Sequence, residues 1–455
     1  MKRKPFVIVD SPMAIFVFIC MLLLPGGAST AATKYNVIYT FQGGSDGSTP
    51  DAPLIADPNG NLYGSTSQGG NVSESSNCYP LGCGTVFELT TKGGVWKKAI
   101  LYSFNLTNGS SPALSPLVFD KSGNLFGTTL SGGSGNYGVV FELMPPKNKG
   151  GQWTEKSIYN FTGRKDGAVP NGVIFDSAGN LFGSTQSGGQ YGQQGAGTVF
   201  ELTQKGGVWS ETTLYSFQMI GDGNNAGLVV FDSHGNLFGT TRGIDVSCNP
   251  KDPVQCGGVF ELEAPSQQGG AWTYKQIHSF QGYNDGSFPS FGGLIFDSTG
   301  NLYGMTVGTG GTGNIPNENA EGTIFKLEPP AQQGDPWKET LLHSFPRPGG
   351  IDGSGPQGGV IFDRSGNLYG TTLYGAGNGK VCAYRGCGSA FQLSPPTKGD
   401  AWKETQLHAF VAGNDGSGPS SALLFQKKML FGVTAFGGNT GCEGSGCGTI
   451  FEVGP

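Results

Sequence analysis

The chain has 455 residues, of which 81 are Gly and only 13% are charged, with a formal net charge of −6. No basic run follows residue 4, which excludes the basic surface that nucleic-acid binding requires. So high a Gly content otherwise marks disorder, but these glycines fall at fixed places beside regularly spaced Phe, Leu, Val and Trp, and they read as turn residues.

Residues 1–32 differ from the rest. Lys2, Arg3 and Lys4 precede an apolar run of 12 residues, 13–24, and then a small-residue, turn-like stretch. This is the layout of a secretory signal peptide, and the run is short for a membrane span. The alternatives are an uncleaved anchor, or a lipoprotein cysteine at Cys20, where Ile19 stands in place of the small residue such sites want. The rest of the chain has no second hydrophobic segment and is expected to be secreted, periplasmic or on the cell surface.

After the leader, one strand-like segment, 33–41, stands alone and is followed by seven copies of a unit. The clearest mark of the unit is Asp120-Lys-Ser-Gly-Asn-Leu-Phe-Gly-Thr-Thr129. Near-copies lie at 57–66, 176–185, 232–241, 297–306 and 363–372, with a worn copy at 426–434. The central leucines are Leu62, Leu125, Leu181, Leu237, Leu302, Leu368 and Leu430, at spacings of 63, 56, 56, 65, 66 and 62. A repeat of this length decides the fold before any other reading.

Each unit holds four short segments rich in β-branched and aromatic residues and bounded by Gly, Pro, Asn or Asp, the signature of strands. In the second unit these are 116–120, 124–129, 138–143 and 153–161. The Asp-x-x-Gly-Asn between the first two reads as a tight hairpin, in which Asp bonds the amides ahead of it and Gly takes a positive φ. Six Trp each precede a Phe by eight residues, from Trp96/Phe104 to Trp402/Phe410. An even offset predicts that both side chains share one face of the fourth strand. No 3.6-residue apolar period is sustained, so helix should be scarce.

Four-stranded units of this size make propeller blades or a β-solenoid. The isolated segment 33–41 is a fourth strand without a unit, and the last unit stops after its third strand, 448–453. The beginning supplies what the end lacks, which latches a ring and has no use in an open solenoid. The expected fold is therefore all-β: a seven-bladed β-propeller of four-stranded blades over residues 33–455, closed by the N-terminal strand completing the last blade.

Without the leader's Cys20, eight cysteines remain in four local pairs, Cys78/Cys83, Cys248/Cys256, Cys382/Cys387 and Cys442/Cys447. Close, even pairing on an exported chain predicts disulfides. Zinc is the rival, but these spacings are not CxxC and the pairs lie in different repeats, so four sulfurs do not easily converge.

The recurring Gly-Asn-Leu-Phe/Tyr-Gly-Thr/Ser-Thr, Gly-Thr-Val-Phe-Glu-Leu and Trp-x-Glu-x-x-Leu-Tyr-Ser-Phe resemble the GloVer-type, choice-of-anchor tandem repeat of exported bacterial proteins. The resemblance covers the chain after the leader. It implies an exported, cell-surface or secreted protein and brings no catalytic residues. Many such proteins carry a C-terminal sorting tail, and this chain is expected to lack that anchor because it ends at Pro455, directly after a strand.

No HExxH appears in the chain. His278, His343 and His408 stand where other fourth strands have Tyr, and His234 stands in a hairpin turn, so all four read as replacements within the repeat. Each fourth strand is followed by Asp-Gly-x-x-Pro or a variant of it. In a propeller these loops and those between the second and third strands open on one face. Asp46, Asp166, Asp222, Asp285, Asp352 and Asp415 are then candidates to ring one mouth of the channel, with Tyr79, Tyr137, Tyr191, Tyr374 and Phe436 nearby as surfaces for stacking on sugars or peptides. The plainer reading is turn chemistry. Such carboxylates are the oxygen donors calcium takes, and no other cofactor is expected. The function expected is that of a monomeric, non-enzymatic binding module for an extracellular glycan or protein. The alternatives are a propeller enzyme acting on extracellular carbohydrate, marked by an isolated acid or His in the channel that breaks the repeat, and a structural surface scaffold.

Overall fold

In a computed structural model the structure describes residues 34–71, 78, 80–114, 116–148, 150–190, 195–218, 221–243, 256–267, 269–282, 285–308, 322–332, 334–345, 352–376, 382, 385–397 and 401–455. The expected leader lies outside them, as does Cys248. Each blade grows from the same hairpin. In blade one the Asp57 carboxylate accepts hydrogen bonds from the backbone amides of Asn59 and Asn61, both at 2.9 Å, and from Asn61 Nδ2 at 2.9 Å. Gly60 supplies the positive φ of 92° that the turn demands. The worn copy in blade seven is shorter: Gln426 pairs directly with Met429, and Lys427 and Lys428 form a two-residue turn with both φ positive.

From that hairpin the sheet runs outward. Blade one orders Ile55–Ala56, Leu62–Thr66, Thr85–Lys92 and Val95–Ser103 as neighbouring antiparallel strands, and seven such sheets form the chain. The seventh pairs Tyr35–Thr40 with Thr449–Val453, so the first strand of the chain is the outermost strand of the last blade. The expected propeller and its latch are therefore both present. Helix among the described residues is confined to short 3₁₀ turns such as Gly44–Asp46 and Gly413–Asp415. Among the described residues, no helix is long and apolar enough to cross a membrane.

Seven apolar clusters hold the ring, one between each pair of neighbouring blades. At the heart of each is an edge-on Phe pair. The Phe that ends one blade's fourth strand meets the Phe in the next blade's third strand, as in Phe104/Phe141 at 5.0 Å and Phe161/Phe200 at 5.2 Å between ring centroids. The series closes through Phe410/Phe451 at 5.1 Å and Phe41/Phe87 at 5.4 Å. Burying one such ring contributes about 1.5–3 kcal/mol, and the seven junctions share that device.

The fourth strand departs from expectation in one respect. Trp96 packs on Phe431 of the preceding blade, at 5.9 Å between centroids, whereas Phe104 faces the following blade. Trp and Phe thus lie on opposite faces. In blade one the cause is a bulge between them: Val86 pairs with Tyr102 but Phe87 with Ile100, leaving Leu101 extra. One additional residue inverts the alternation. The same shift occurs in every blade, including the latch strand at Ile38.

Candidate functional site

The Asp-Gly-x-x-Pro loops cement blade to blade. Their Pro lies on the Gly that opens the preceding blade's third strand: a Cβ on Gly84 would stand 2.6 Å from Pro112 Cδ. The residue before the Pro adopts a positive φ, 55° at Thr49 and 58° at Val169, a conformation costly for β-branched side chains. Its amide donates to the preceding blade, Thr49 N to Cys447 O at 3.0 Å and Val169 N to Tyr137 O at 2.9 Å.

The aspartates of these loops sit between the outer strands of two blades, and five of the six carboxylates accept hydrogen bonds there. Asp46 accepts from Gln42 N at 2.8 Å, Tyr39 Oη at 2.7 Å and Lys98 Nζ at 2.7 Å. Asp166 accepts from Thr162 N and Tyr159 Oη, and Asp222 from Gln218 N and Tyr215 Oη. Asp285 accepts from Gln281 N, and Asp415 from Val411 N and His408 Nε2. Asp352 faces His343 and Glu404 electrostatically. Among the candidate aromatics, Tyr137 covers Gly163, Tyr374 lies against the Arg385 guanidinium at 5.4 Å, and Phe436 is exposed beside Gly418. Tyr79 and Tyr191 lie outside the described residues.

A different set of residues meets at the channel mouth on this face. Asp51, Arg242, Ser290, Phe291, Gln357 and Ser421, drawn from five blades, line a cavity of about 50 Å³. In the same lining the backbones of blades five, six and seven press together: a Cβ on Gly292 would meet Gly358 C at 2.2 Å, and one on Gly358 would meet Ser421 C at 2.1 Å. Only Gly permits that approach at residues 292 and 358.

The cavity holds polar atoms with nothing to bond. Asp51 Oδ1, Ser290 Oγ and Ser421 Oγ are shielded from solvent and make no hydrogen bond. Burial pushes the Asp51 carboxyl up to about 7, against the opposing help of Ser67 and a backbone amide. Burial also lowers the pKa of Arg242, whose guanidinium lies 5.2 Å from the Phe291 ring centroid. Sequence reasoning passed over Asp51 and Arg242 because it followed what the repeats share. Their signal is that they differ: the position after the loop Pro holds Asp51, Ala113, Asn171, Gly227, Ser290, Gln357 and Ser420 in turn, and the position after the second strand's Thr holds Ser67, Leu130, Gln186, Arg242, Val307, Leu373 and Ala435.

A second series of polar groups lies between blades, two residues beyond each Trp. Glu155, Glu211, Glu339 and Glu404 occupy it in blades two, three, five and six. Burial pushes Glu211, Glu339 and Glu404 up to about 7.

Three of the expected disulfides are present, Cys78–Cys83, Cys382–Cys387 and Cys442–Cys447, with Cα atoms 5.3, 5.4 and 5.3 Å apart. Cys256 is also disulfide-bonded. Each pair ends directly before a third strand, so the bridges pin the loops on the face where the cavity opens.

The sequence profile of the Gloeobacter/Verrucomicrobia repeat matches residues 27–147 and 75–316. No curated protein sequence matches the chain. Among solved structures it is similar to the PQQ-bound aldose sugar dehydrogenase of Streptomyces coelicolor, at 14% identity over 93% of this chain and 98% of that one, with a TM-score of 0.42. It is also similar to Pseudomonas fluorescens PhoX in complex with vanadate, at 11% identity over 93% and 95% of the two chains and a TM-score of 0.42. A third likeness is to PorZ, a surface component of the type-IX secretion system of Porphyromonas gingivalis, at 13% identity over 91% of this chain and 47% of that one, with a TM-score of 0.49. At these identities nothing about chemistry carries across.

Proposed function

The chain belongs to the Gloeobacter/Verrucomicrobia repeat family, and on that premise we propose that it is an exported, non-enzymatic recognition module. Its ligand is an extracellular glycan or peptide that presents a small polar or charged group to the central cavity. The observation that carries this reading is the cavity itself, where an acid, a cation and two seryl hydroxyls break the repeat and three shielded oxygens lack partners. Buried polar atoms are normally satisfied, and exceptions point to an absent partner. A cavity of about 50 Å³ takes the tip of a ligand rather than a whole sugar ring. Export is supported by the leader's layout and by the disulfides, which persist in oxidising compartments.

A glycan and peptide array on the purified protein tests the reading, followed by titration of any hit against Asp51→Asn and Arg242→Gln. Both variants should keep their fold and lose at least about tenfold in affinity, the scale of one charged hydrogen bond. Unchanged binding in both would refute the assignment. One specific observation favours a second reading: Asp51, at about 7, is an isolated acid in the channel, with the pKa a general acid or base needs near neutral pH. Turnover of an arrayed glycan that Asp51→Asn abolishes would make the protein a carbohydrate-active propeller enzyme.

A further inference from the structure

The seven blade junctions repeat one polar arrangement with different chemistry in each. Five of them satisfy it internally. Between blades seven and one, Lys98 places a buried ammonium on Asp46 at 2.7 Å. Between one and two, Asn108 replaces the aspartate and donates to Glu155 at 3.0 Å, while Ser157 donates to the same carboxylate at 2.8 Å. Between two and three, Thr213 donates to Glu211 at 2.8 Å. Between three and four, Tyr274 takes the place of the acid and stacks on Tyr215 at 4.6 Å. Between six and seven, Tyr35 stacks on His408 at 3.5 Å and donates to Asp415 O at 2.8 Å.

The junction of blades four and five is different. It brings together His278, Asp285 and Glu339, and one donor atom from each lies within 4.8 Å of the other two. His278 Nε2 stands 3.6 Å from Asp285 Oδ2, too far for a hydrogen bond. His278 Nε2 and Glu339 Oε1 are both shielded from solvent and make no hydrogen bond. The Ser or Thr that serves the glutamate at two other junctions is Leu341 here. Phe280, edge-on to the imidazole at 4.7 Å, closes the inner side. Asp285 is held in place by the Gln281 amide, at 2.9 and 3.0 Å from its two oxygens.

We propose that this junction is a divalent metal site of the zinc class, with His278 Nε2, Asp285 and Glu339 as its three protein ligands and a fourth position for water or an outside ligand. Two carboxylates and an imidazole crowded into a half-buried, apolar-walled space call for a positive charge. At the equivalent place between blades seven and one the chain supplies that charge itself, as Lys98. One nitrogen and two oxygens suit zinc or a similar first-row ion, whereas calcium takes oxygen alone. Around zinc, donors at about 2.0–2.2 Å stand roughly 3.4 Å apart. From separations of at most 4.8 Å the triad's widest pair closes by up to about 1.4 Å, within reach of a side-chain rotation of Glu339. The junction of blades five and six repeats the residue types as His343, Asp352 and Glu404, where His343 Nε2 and Glu404 Oε1 also lack hydrogen bonds, and forms a looser second copy.

The test uses the full chain, dialysed against a chelator and titrated separately with Zn²⁺, Co²⁺ and Ca²⁺. Zn²⁺ and Co²⁺ should raise the melting temperature, since an ion bound only by the folded state stabilises it by mass action, and Ca²⁺ should not. Bound Co²⁺ should give visible ligand-field absorption. Glu339→Gln should weaken the tightest Zn²⁺ binding at least about tenfold, as ligand-sphere changes do, and keep a metal-free melting temperature at or above that of the parent. Glu404→Gln should leave that tightest binding unchanged. A wild-type chain that shows neither stabilisation nor cobalt absorption would overturn the proposal, leaving the cluster as a proton-bridged ion pair. Equal Zn²⁺ affinity in the parent and Glu339→Gln, or loss in Glu404→Gln instead, would overturn the assignment to this junction.

Discussion

At the scale of single residues, the chain's most repeated word is explained by contact rather than by conformation. The Gly of Leu-Phe-Gly sits beneath the third-strand Phe: a Cβ on Gly127 would stand 2.7 Å from Phe141 Cζ and 2.8 Å from Leu117 Cδ2. Neither neighbour can retreat, because Phe141 is fully buried in the junction with blade one. Gly127→Ala should therefore cost about 1–3 kcal/mol, the range for overpacking a filled core, and lower the melting temperature; an unchanged one would show that the site relaxes. Ionisation makes a second prediction at this scale. Burial holds the carboxyls of Asp51 and Glu211 at about 7, above their ordinary range. The folded state keeps protons that the unfolded chain releases, so the stability these groups contribute is fully present below about pH 4 and is lost as pH rises to about 7. The lowered pKa of His343 works in the opposite sense below its ordinary value, as one group against the four carboxyls held at about 7, Glu339 and Glu404 being the other two. Asp297, held at about 2 by its hydrogen bonds, adds stability that is lost only in strong acid. Melting in the presence of a chelator should thus be higher at pH 5 than at pH 8, and Asp51→Asn with Glu211→Gln should reduce the difference. A flat or rising profile in the parent would contradict it.

At the scale of elements, the fourth strand shows both what sequence conveys and what it withholds. Its Trp and Phe announce the strand, but parity places them on one face, and the bulge at Leu101 and its counterparts puts them on two. A bulge changes no residue type, so composition cannot reveal it; it emerges only from pairing. The consequence is useful to the fold, because a single strand then grips the blade on either side, Trp96 behind and Phe104 ahead. The latch strand is the test of this grip. Deleting residues 33–41 removes the partner of Thr449–Val453 and strips Phe41 from Phe87. The loss should exceed the about 3–5 kcal/mol of one truncated core Phe, read by calorimetry, with recovery when a peptide of those nine residues is added back. Intact melting after the deletion would mean the ring holds without its latch.

At the scale of the whole molecule, blade count, strand order and closure were legible because they depend on period, and period survives changes of residue. Leu62 to Leu430 mark one buried position seven times, each with no exposure. The Asp-Gly-x-x-Pro loops were legible as turns, and the structure adds that their carboxylates bind their own junctions, as at Asp46 and Asp222. The central cavity was not legible in the same way. Its residues, Asp51 and Arg242 foremost, occupy places where the units disagree, and only ring closure brings those places together. The metal cluster was hidden for a related reason, since Asp285 and Glu339 meet across a junction that spans 54 residues of chain.

The latch also governs how the molecule comes to exist. Asn36 donates a hydrogen bond to Glu452 across 416 positions of sequence. A chain emerging from its N-terminus presents Tyr35–Thr40 first, yet that strand has no partner until Thr449–Val453 follows. Six blades can condense from near neighbours, but the seventh waits on the most distant contact in the chain, and distant contacts slow folding. Completion of the ring is therefore a late event, and until then one sheet edge stays open to any extended segment that finds it.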